Sequence, residues 1–355
     1  HRGTWLDANQ IQNIRNKISN KDHMYGNTEG MVSGPIRRSK MFFMGGYQGF
    51  YEDIPFPTTR TVPTEAQLRG DFRETRNNNG QQIIVFDPAT TVPNPSGTGF
   101  IREQIQCNGV PNVICPDRFH PIARALSPHI PRPNATGSLS GANNFINSPS
   151  LGRYRYNSYL TRVDQVFNDK HRLSVSHAAN WGIEFRNENG LPPPALCSDN
   201  YPTHRNQYFV TGDDTYTLSS STLWNTRVSF NRFDEPHEKE YGDIDPSLPF
   251  QGAYQVTGPP FPQINITGYE LMFPNTFRQV RNDAFSVRSS LSTSRGEHLF
   301  KFGGEYRAYN YFRIDGAASN GTFDFGTNFT RRNPLQGDTT SGNGFASFLL
   351  GLPTG

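Results

Sequence analysis

The residues best able to do chemistry in this 355-residue sequence are three cysteines and a few clustered acids. Cys107 and Cys115 lie in the run CNGVPNVIC. They are close enough to pair in an oxidising compartment, and two unlinked surface thiols are the other reading of that spacing. A zinc site borrowing His120 would lack a second ligand pair at suitable spacing. Cys197 stands alone after LPPPAL. The run DEPHEKEYGDID, from Asp234 to Asp245, could offer Asp243 and Asp245 to calcium, since hard cations want clustered oxygens. A solvated loop is the simpler account of the same run. Asp213 and Asp214 invite the same idea, but neighbours in a strand point to opposite faces. The nine histidines are dispersed, with His171 and His177 near a hairpin as surface or girdle residues rather than ligands. The sequence contains no G-x-S-x-G, no H-E-x-x-H and no phosphate-binding loop. The expectation is a protein that is not an enzyme and holds neither metal nor cofactor.

The elements that would position these groups are strands. In YLTRVDQVFNDKHRLSVS, Tyr159, Thr161, Val163 and Phe167 alternate with Leu160, Arg162, Asp164 and Val166. The turn Asn168-Asp169-Lys170 follows, and then Leu173 and Val175 alternate with Arg172, Ser174 and Ser176. This pattern predicts a hairpin with one apolar and one polar face. Three more hairpins are expected. GMVSGPI pairs with MFFMGGYQGFY, QYFVTGDDTYTL with LWNTRVSFNRF, and AFSVRSSLSTS with HLFKFGGEYRAYNYF. In the last two, Trp224, Thr226, Val228 and Phe230 oppose Asn225, Arg227, Ser229 and Asn231. Phe285, Val287 and Leu291 oppose Ser286, Arg288, Ser290 and Ser292. Phe300, Phe302, Tyr306 and Ala308 oppose Lys301, Glu305 and Arg307. A buried charge without a partner is costly, so the polar face must be wet.

The spacing of the hairpins is as informative as their faces. Their turns are short, but the segments 52–155, 182–206 and 234–281 are long. Loops of that length are uncommon in compact soluble domains. Short turns alternating with long loops match an outer-membrane barrel, and strands of about 9–12 residues suit a tilted crossing. Aromatics near strand ends (Phe50, Tyr51, Phe230, Phe233, Tyr309, Tyr311 and Phe312) would form interfacial girdles, or simply follow aromatic β-propensity. PDRFHPIARAL reads as a short helix within the first long loop. GTFDFGTNF reads as a strand, and NGFASFLLGLPTG as a strand or short helix.

Composition agrees with this reading. The chain is 34% hydrophobic and 13% aromatic, with 33 glycines and 27 prolines. That favours many strands and irregular loops over helices or disorder. Its net charge is +3 and its densest basic run, GPIRRSK, reads as a turn, so no nucleic-acid surface is expected. No apolar run is long enough for a membrane helix, which leaves a β-barrel open.

Taken in order, GPIRRSKMFFMGGYQGF, TVPTEAQLRGDF, VFDPATT, CNGVPNVICPDRFHPIARAL, RVDQVFNDKHRLSVS, GDDTYTLSSSTLWNTRVSFNRF, HLFKFGGEYR and NGFASFLLGLP resemble the barrel of Oar-like TonB-dependent outer-membrane receptors. The resemblance runs from about Gly30 through nearly the whole chain. It implies an all-β fold: part of an antiparallel transmembrane barrel of about 22 strands with long extracellular loops. It also implies a location in the outer membrane of a Gram-negative bacterium. Partners would be outer-membrane lipid, an unknown external ligand and the inner-membrane TonB complex, reached through a plug domain. No plug segment or TonB box is seen, and the last residue is not in an aromatic terminal strand. The chain is therefore expected to be a partial barrel over 1–355, with 52–155 as its long extracellular loop region. That loop would be oxidised, so a Cys107–Cys115 disulfide is expected. Arg162, Asp164, Arg227, Arg288, Lys301, Glu305 and Arg307 would face the lumen, with hydration of a wide polar barrel as their plainest role. The alternative is a secreted, non-catalytic β-sandwich or adhesin that binds glycans, whose apolar face would pack on a second sheet.

Overall fold

The structure is a computed structural model that describes residues 14, 23–55, 58–147, 151–185, 191, 203–236, 263–270, 278–315 and 321–354. Eight long strands form one sheet: β1 (Met24–Arg37), β2 (Met41–Pro55), β3 (Leu151–Asn168), β4 (His171–Phe185), β5 (Thr203–Ser219), β6 (Thr222–Pro236), β7 (Arg278–Arg295) and β8 (His298–Asp315). They pair in chain order, each antiparallel to the next. All four expected hairpins are present. The strands have 14 to 18 residues, longer than the expected crossing. The extra length lies at the end away from the short turns, where charged residues continue on both faces. Among the described residues β1 and β8 do not pair with each other, so the sheet has two open edges.

The register sorts the side chains into two faces. Opposed residues of an antiparallel pair share a face. One row runs Phe43, Val163, Val175, Gly212, Val228, Val287, Tyr306 across seven strands. The adjacent row, one residue along, runs Phe42, Asp164, Ser174, Asp213, Arg227, Arg288, Glu305. A one-residue slip would exchange the two sets, so the alternation itself pins the register.

The apolar face has no protein against it. Val163, Val175, Val210, Val228 and Phe285 are 40% to 43% exposed. A sandwich would bury them under a second sheet, and among the described residues no such sheet covers them. A contiguous apolar surface this wide marks contact with another apolar phase.

The core lies elsewhere, in the long connections. Segment 58–147 between β2 and β3, Leu191 between β4 and β5, residues 263–270 between β6 and β7, and residues 321–354 after β8 fold together. Phe72, Ile105, Ile114, Leu191, Ile264 and Phe345 share a single buried cluster. Each such large side chain contributes about 1.5–3 kcal/mol by leaving water. The loops expected from the sequence are thus one folded cap. GTFDFGTNF does contain a strand, Thr322–Phe325, but it pairs in parallel with Gln263–Ile266 outside the large sheet. Three short helices complete the cap: α1 (Glu65–Leu68), α2 (Pro121–Leu126) and α3 (Gly344–Leu349).

Local sequence explains these helices. Thr64 and Gln67 form a reciprocal capping box at α1. At α2, Pro121 occupies the first turn and His120 Nδ1 accepts from the Ile122 amide. At α3, Asn343 Oδ1 accepts from the Phe345 and Ala346 amides, and all six helix residues are buried. Gly351, at φ +68°, then turns the chain with the His120 ring against it, where a Cβ would collide.

Candidate functional site

Arg162, Asp164, Arg227, Arg288, Lys301, Glu305 and Arg307 all fall on the polar face. Most satisfy one another. Arg162 binds Asp164 two residues along β3 at 2.8 Å. Arg227 on β6 binds Asp213 directly across on β5 at 2.6 Å. Asn225 donates to the same Asp213 at 2.7 Å. Arg307 binds Glu305 at 2.5 Å. Arg288 sits between Arg227 and Glu305 in the register, and neither it nor Lys301 has an ion-pair partner within 4 Å among the described residues. The face is a mixed-sign polar surface.

Towards the cap end, the polar face becomes concave and carries few charges. A hollow of about 830 Å³ is lined by Met31, Gln48, Ser158, Leu160, Asn180 and Phe209, with Glu29 as its charged residue. Ser158 donates to Asn180 across β3 and β4 at 2.7 Å. Above it, Arg205 lies between Glu184 at 3.1 Å and Glu235 at 3.7 Å, and both carboxylates are buried. Tyr156 donates to Glu184, and its ring lies over Gly182, leaving no room for a side chain there. These groups close the polar face at its junction with the long connections.

The aromatics need a correction. Phe50, Phe233, Tyr309 and Tyr311 fall on the polar face, because they share rows with Tyr156, Asn282 and Ala284. Tyr51, Phe230 and Phe312 do fall on the apolar face, opposite Arg155, Phe285 and Arg281. The row of touching rings there is Tyr47, Tyr159, Trp181 and Tyr208, each 5.2 to 5.8 Å from the next across β2 to β5. Trp181 donates to the Tyr208 hydroxyl and Tyr47 to Asn157. Beyond it, on the same face, come the ion pairs Arg155–Asp53, Arg232–Asp283 and Arg281–Asp234. At the short-turn end His171 stacks on Phe167 and meets Tyr216, with Trp224 next to Tyr216 in the register. His171 also contacts Asp214 at 2.7 Å. Asp214 therefore lies on the apolar face and Asp213 on the polar one.

The two girdles measure the apolar band. Tyr208 and Tyr216 are eight residues apart on β5. At ~3.4 Å per residue and a tilt of ~35–45°, that is about 20 Å between their Cα positions. With the rings at each border, the band matches the ~25 Å apolar zone of a membrane barrel.

In the cap, Cys107 and Cys115 are joined in a disulfide with Cα atoms 5.0 Å apart. Asn108 and Gly109, both at positive φ, turn a two-residue hairpin between Gln106–Cys107 and Val110–Pro111. The Asn-Gly pair is the sequence signal for this turn. Asn112 is buried and fully used, accepting from the Val85 amide and donating to the Phe72 and Ile83 carbonyls. Arg118 grips Asp87 through two bonds of 2.6 and 2.9 Å, which holds that carboxyl below its usual range. Burial pushes the Tyr269 phenol up to about 12. Asp243, Asp245 and Cys197 lie outside the described residues. Among the described residues no cluster of metal-ligating side chains occurs.

A family model described as an outer membrane beta barrel domain matches residues 1–355. No curated protein and no solved structure matches the chain.

Proposed function

Because the chain belongs to the outer membrane beta barrel domain family, and so to the outer membrane of a Gram-negative bacterium, we propose that it forms wall and cap of an Oar-like, TonB-dependent receptor. Such a receptor is a transporter and no enzyme. It binds an external ligand at its outer end and moves it inward, driven by the inner-membrane TonB complex.

The observation that carries this reading is the joint asymmetry of the sheet. One face is apolar and girdled, the other is polar and internally ion-paired, and every long connection leaves by the same end. A wet inner face suits a wide lumen, where charges keep their hydration. The cap supplies a rigid outer surface for recognition, since its four chain segments share one core. The open edges of β1 and β8 fit a wall that continues into further strands, because unpaired backbone groups are not tolerated in lipid. A barrel of about 22 strands accommodates this.

The test uses the native full-length protein and the periplasmic C-terminal domain of TonB from the same host. Recovery in the outer membrane, a heat-shifted band on a gel and retention of the TonB domain support the receptor. A heat-shifted outer-membrane protein that never retains the TonB domain overturns TonB dependence and leaves the barrel standing.

A further inference from the structure

The run GPIRRSK is not used by a lumen or by a cap. It closes the β1–β2 turn, at the end of the sheet opposite the cap. Arg37, Arg38 and Lys40 are exposed there, with Ser39 in the left-handed region at φ +57°. The next turn in the sheet is β3–β4, which carries the exposed Lys170. The main chain stitches the turns side by side: the Val166 amide donates to the Lys40 carbonyl at 2.6 Å, and the Thr217 amide to the Lys170 carbonyl at 2.7 Å. Four cations thus share two adjacent turns with one acid, Asp169. Among the described residues none of the four has an ion-pair partner within 4 Å.

The outer face beside these turns is aromatic. Phe167 is 49% exposed and stacks on His171 at 4.6 Å, and His171 meets Tyr216 at 5.3 Å. Arg37 is opposite Met41, on this same apolar face. Arg172 is on the polar face, opposite Thr215, and belongs to the lumen side. A cationic ledge directly below an aromatic shelf, whose one acid Asp214 is engaged by His171 at 2.7 Å, presents two chemistries in the order that a phospholipid does: phosphate, then acyl chain.

We propose that the β1–β2 and β3–β4 turns bind the headgroups of anionic phospholipids in the leaflet facing the short turns. Arg37, Arg38, Lys40 and Lys170 hold the phosphates, and Phe167, His171 and Tyr216 seat the upper acyl segments. This inference rests on the barrel reading above. The aromatic shelf favours lipid over a soluble polyanion such as an acidic cell-wall peptide, which needs only the charges. Lysines and arginines near a membrane surface attract anionic lipid additively and are screened by salt.

The experiment takes the full-length protein through mixed micelles holding equal phosphatidylglycerol and phosphatidylcholine with matched chains. Retained lipid is then counted by native mass spectrometry. The wild type is expected to prefer phosphatidylglycerol by on the order of a hundredfold at low ionic strength. The preference falls steeply between about 0.05 M and about 0.5 M salt. The variant Arg37→Gln/Arg38→Gln/Lys40→Gln/Lys170→Gln loses most of it while keeping its heat-shifted band, and Lys301→Gln on the polar face keeps it. Equal retention of both lipids by the wild type overturns the proposal, as does an undiminished preference in the quadruple variant. Should that variant not fold, a wild-type preference that ignores salt also overturns it. Capture of soluble acidic cell-wall peptides in place of lipid would do the same. A wild type with no heat shift would instead remove the barrel reading itself.

Discussion

Arg102 Nη1 donates to the carbonyl of Phe329 at 2.7 Å and to that of Asn328 at 2.9 Å, joining two segments more than two hundred residues apart. Its Nε also reaches Thr91 Oγ1 at 2.8 Å. One side chain therefore ties the β2–β3 connection to the segment after β8, reinforcing the main-chain bonds Ile84–Thr340 and Phe86–Thr330. Replacing Arg102 with Ala strands the Phe329 and Asn328 carbonyls and that of Arg331, which it reaches at 3.3 Å, in a half-buried site, at a cost of about 1–3 kcal/mol. Limited proteolysis of the folded barrel should then cut the cap faster, with the heat-shifted band unchanged.

The apolar face gives a sharper contrast. Val287 sits mid-row between Val228 and Tyr306. Val287→Leu should cost little, because lipid adapts to shape where a packed core cannot. Val287→Arg should cost about 2–4 kcal/mol near the midplane. Urea titration of the folded fraction in lipid reads both. Equal damage from the two would mean that a packed protein core covers this face.

The disulfide between Cys107 and Cys115 closes a short loop. A chain-entropy estimate gives about 2–3 kcal/mol for a loop of that size. Denatured, unreduced protein should show one reactive thiol, from Cys197, and three after reduction. Cys107→Ser/Cys115→Ser should lower the denaturant midpoint of the cap without changing membrane recovery.

Two groups in the cap make its stability depend on pH, in opposite directions. The Arg118 guanidinium lowers the Asp87 pKa in the folded cap. The stabilisation is complete above the unfolded carboxyl value near ~4 and is lost as the pH falls below it. Burial raises the Tyr269 phenol, so its contribution is complete below its ordinary 10.0 and is lost as the pH rises towards about 12. Hydrogen exchange of the cap amides should show a protected plateau between these limits. Asp87→Asn should flatten the acid limb, and Tyr269→Phe the alkaline one.

The strands were legible because their period is local. The alternation of Trp224, Thr226, Val228 and Phe230 with Asn225, Arg227, Ser229 and Asn231 requires only that neighbours point oppositely. It was enough to place Arg162, Asp164, Arg227, Arg288, Lys301, Glu305 and Arg307 on one face. The turns were legible for the same reason. Strand ends were harder, since charged residues such as Arg155 and Arg232 continue the ladder beyond the apolar band, on the same face. Parity also decides which aromatics form the girdle. Tyr309 and Tyr311 stand at a strand end but on the wrong face.

The amino-acid order by itself thus determined a two-faced antiparallel sheet and its four hairpins. Only the tertiary structure decided that the long connections are a folded cap. Ile105, Leu191, Ile264 and Phe345 each look like isolated apolar residues within irregular segments, and no short-range period links them. What joins them is the geometry of the sheet, which delivers all of those connections to the same end. There, burying apolar area together repays the entropy of ordering them.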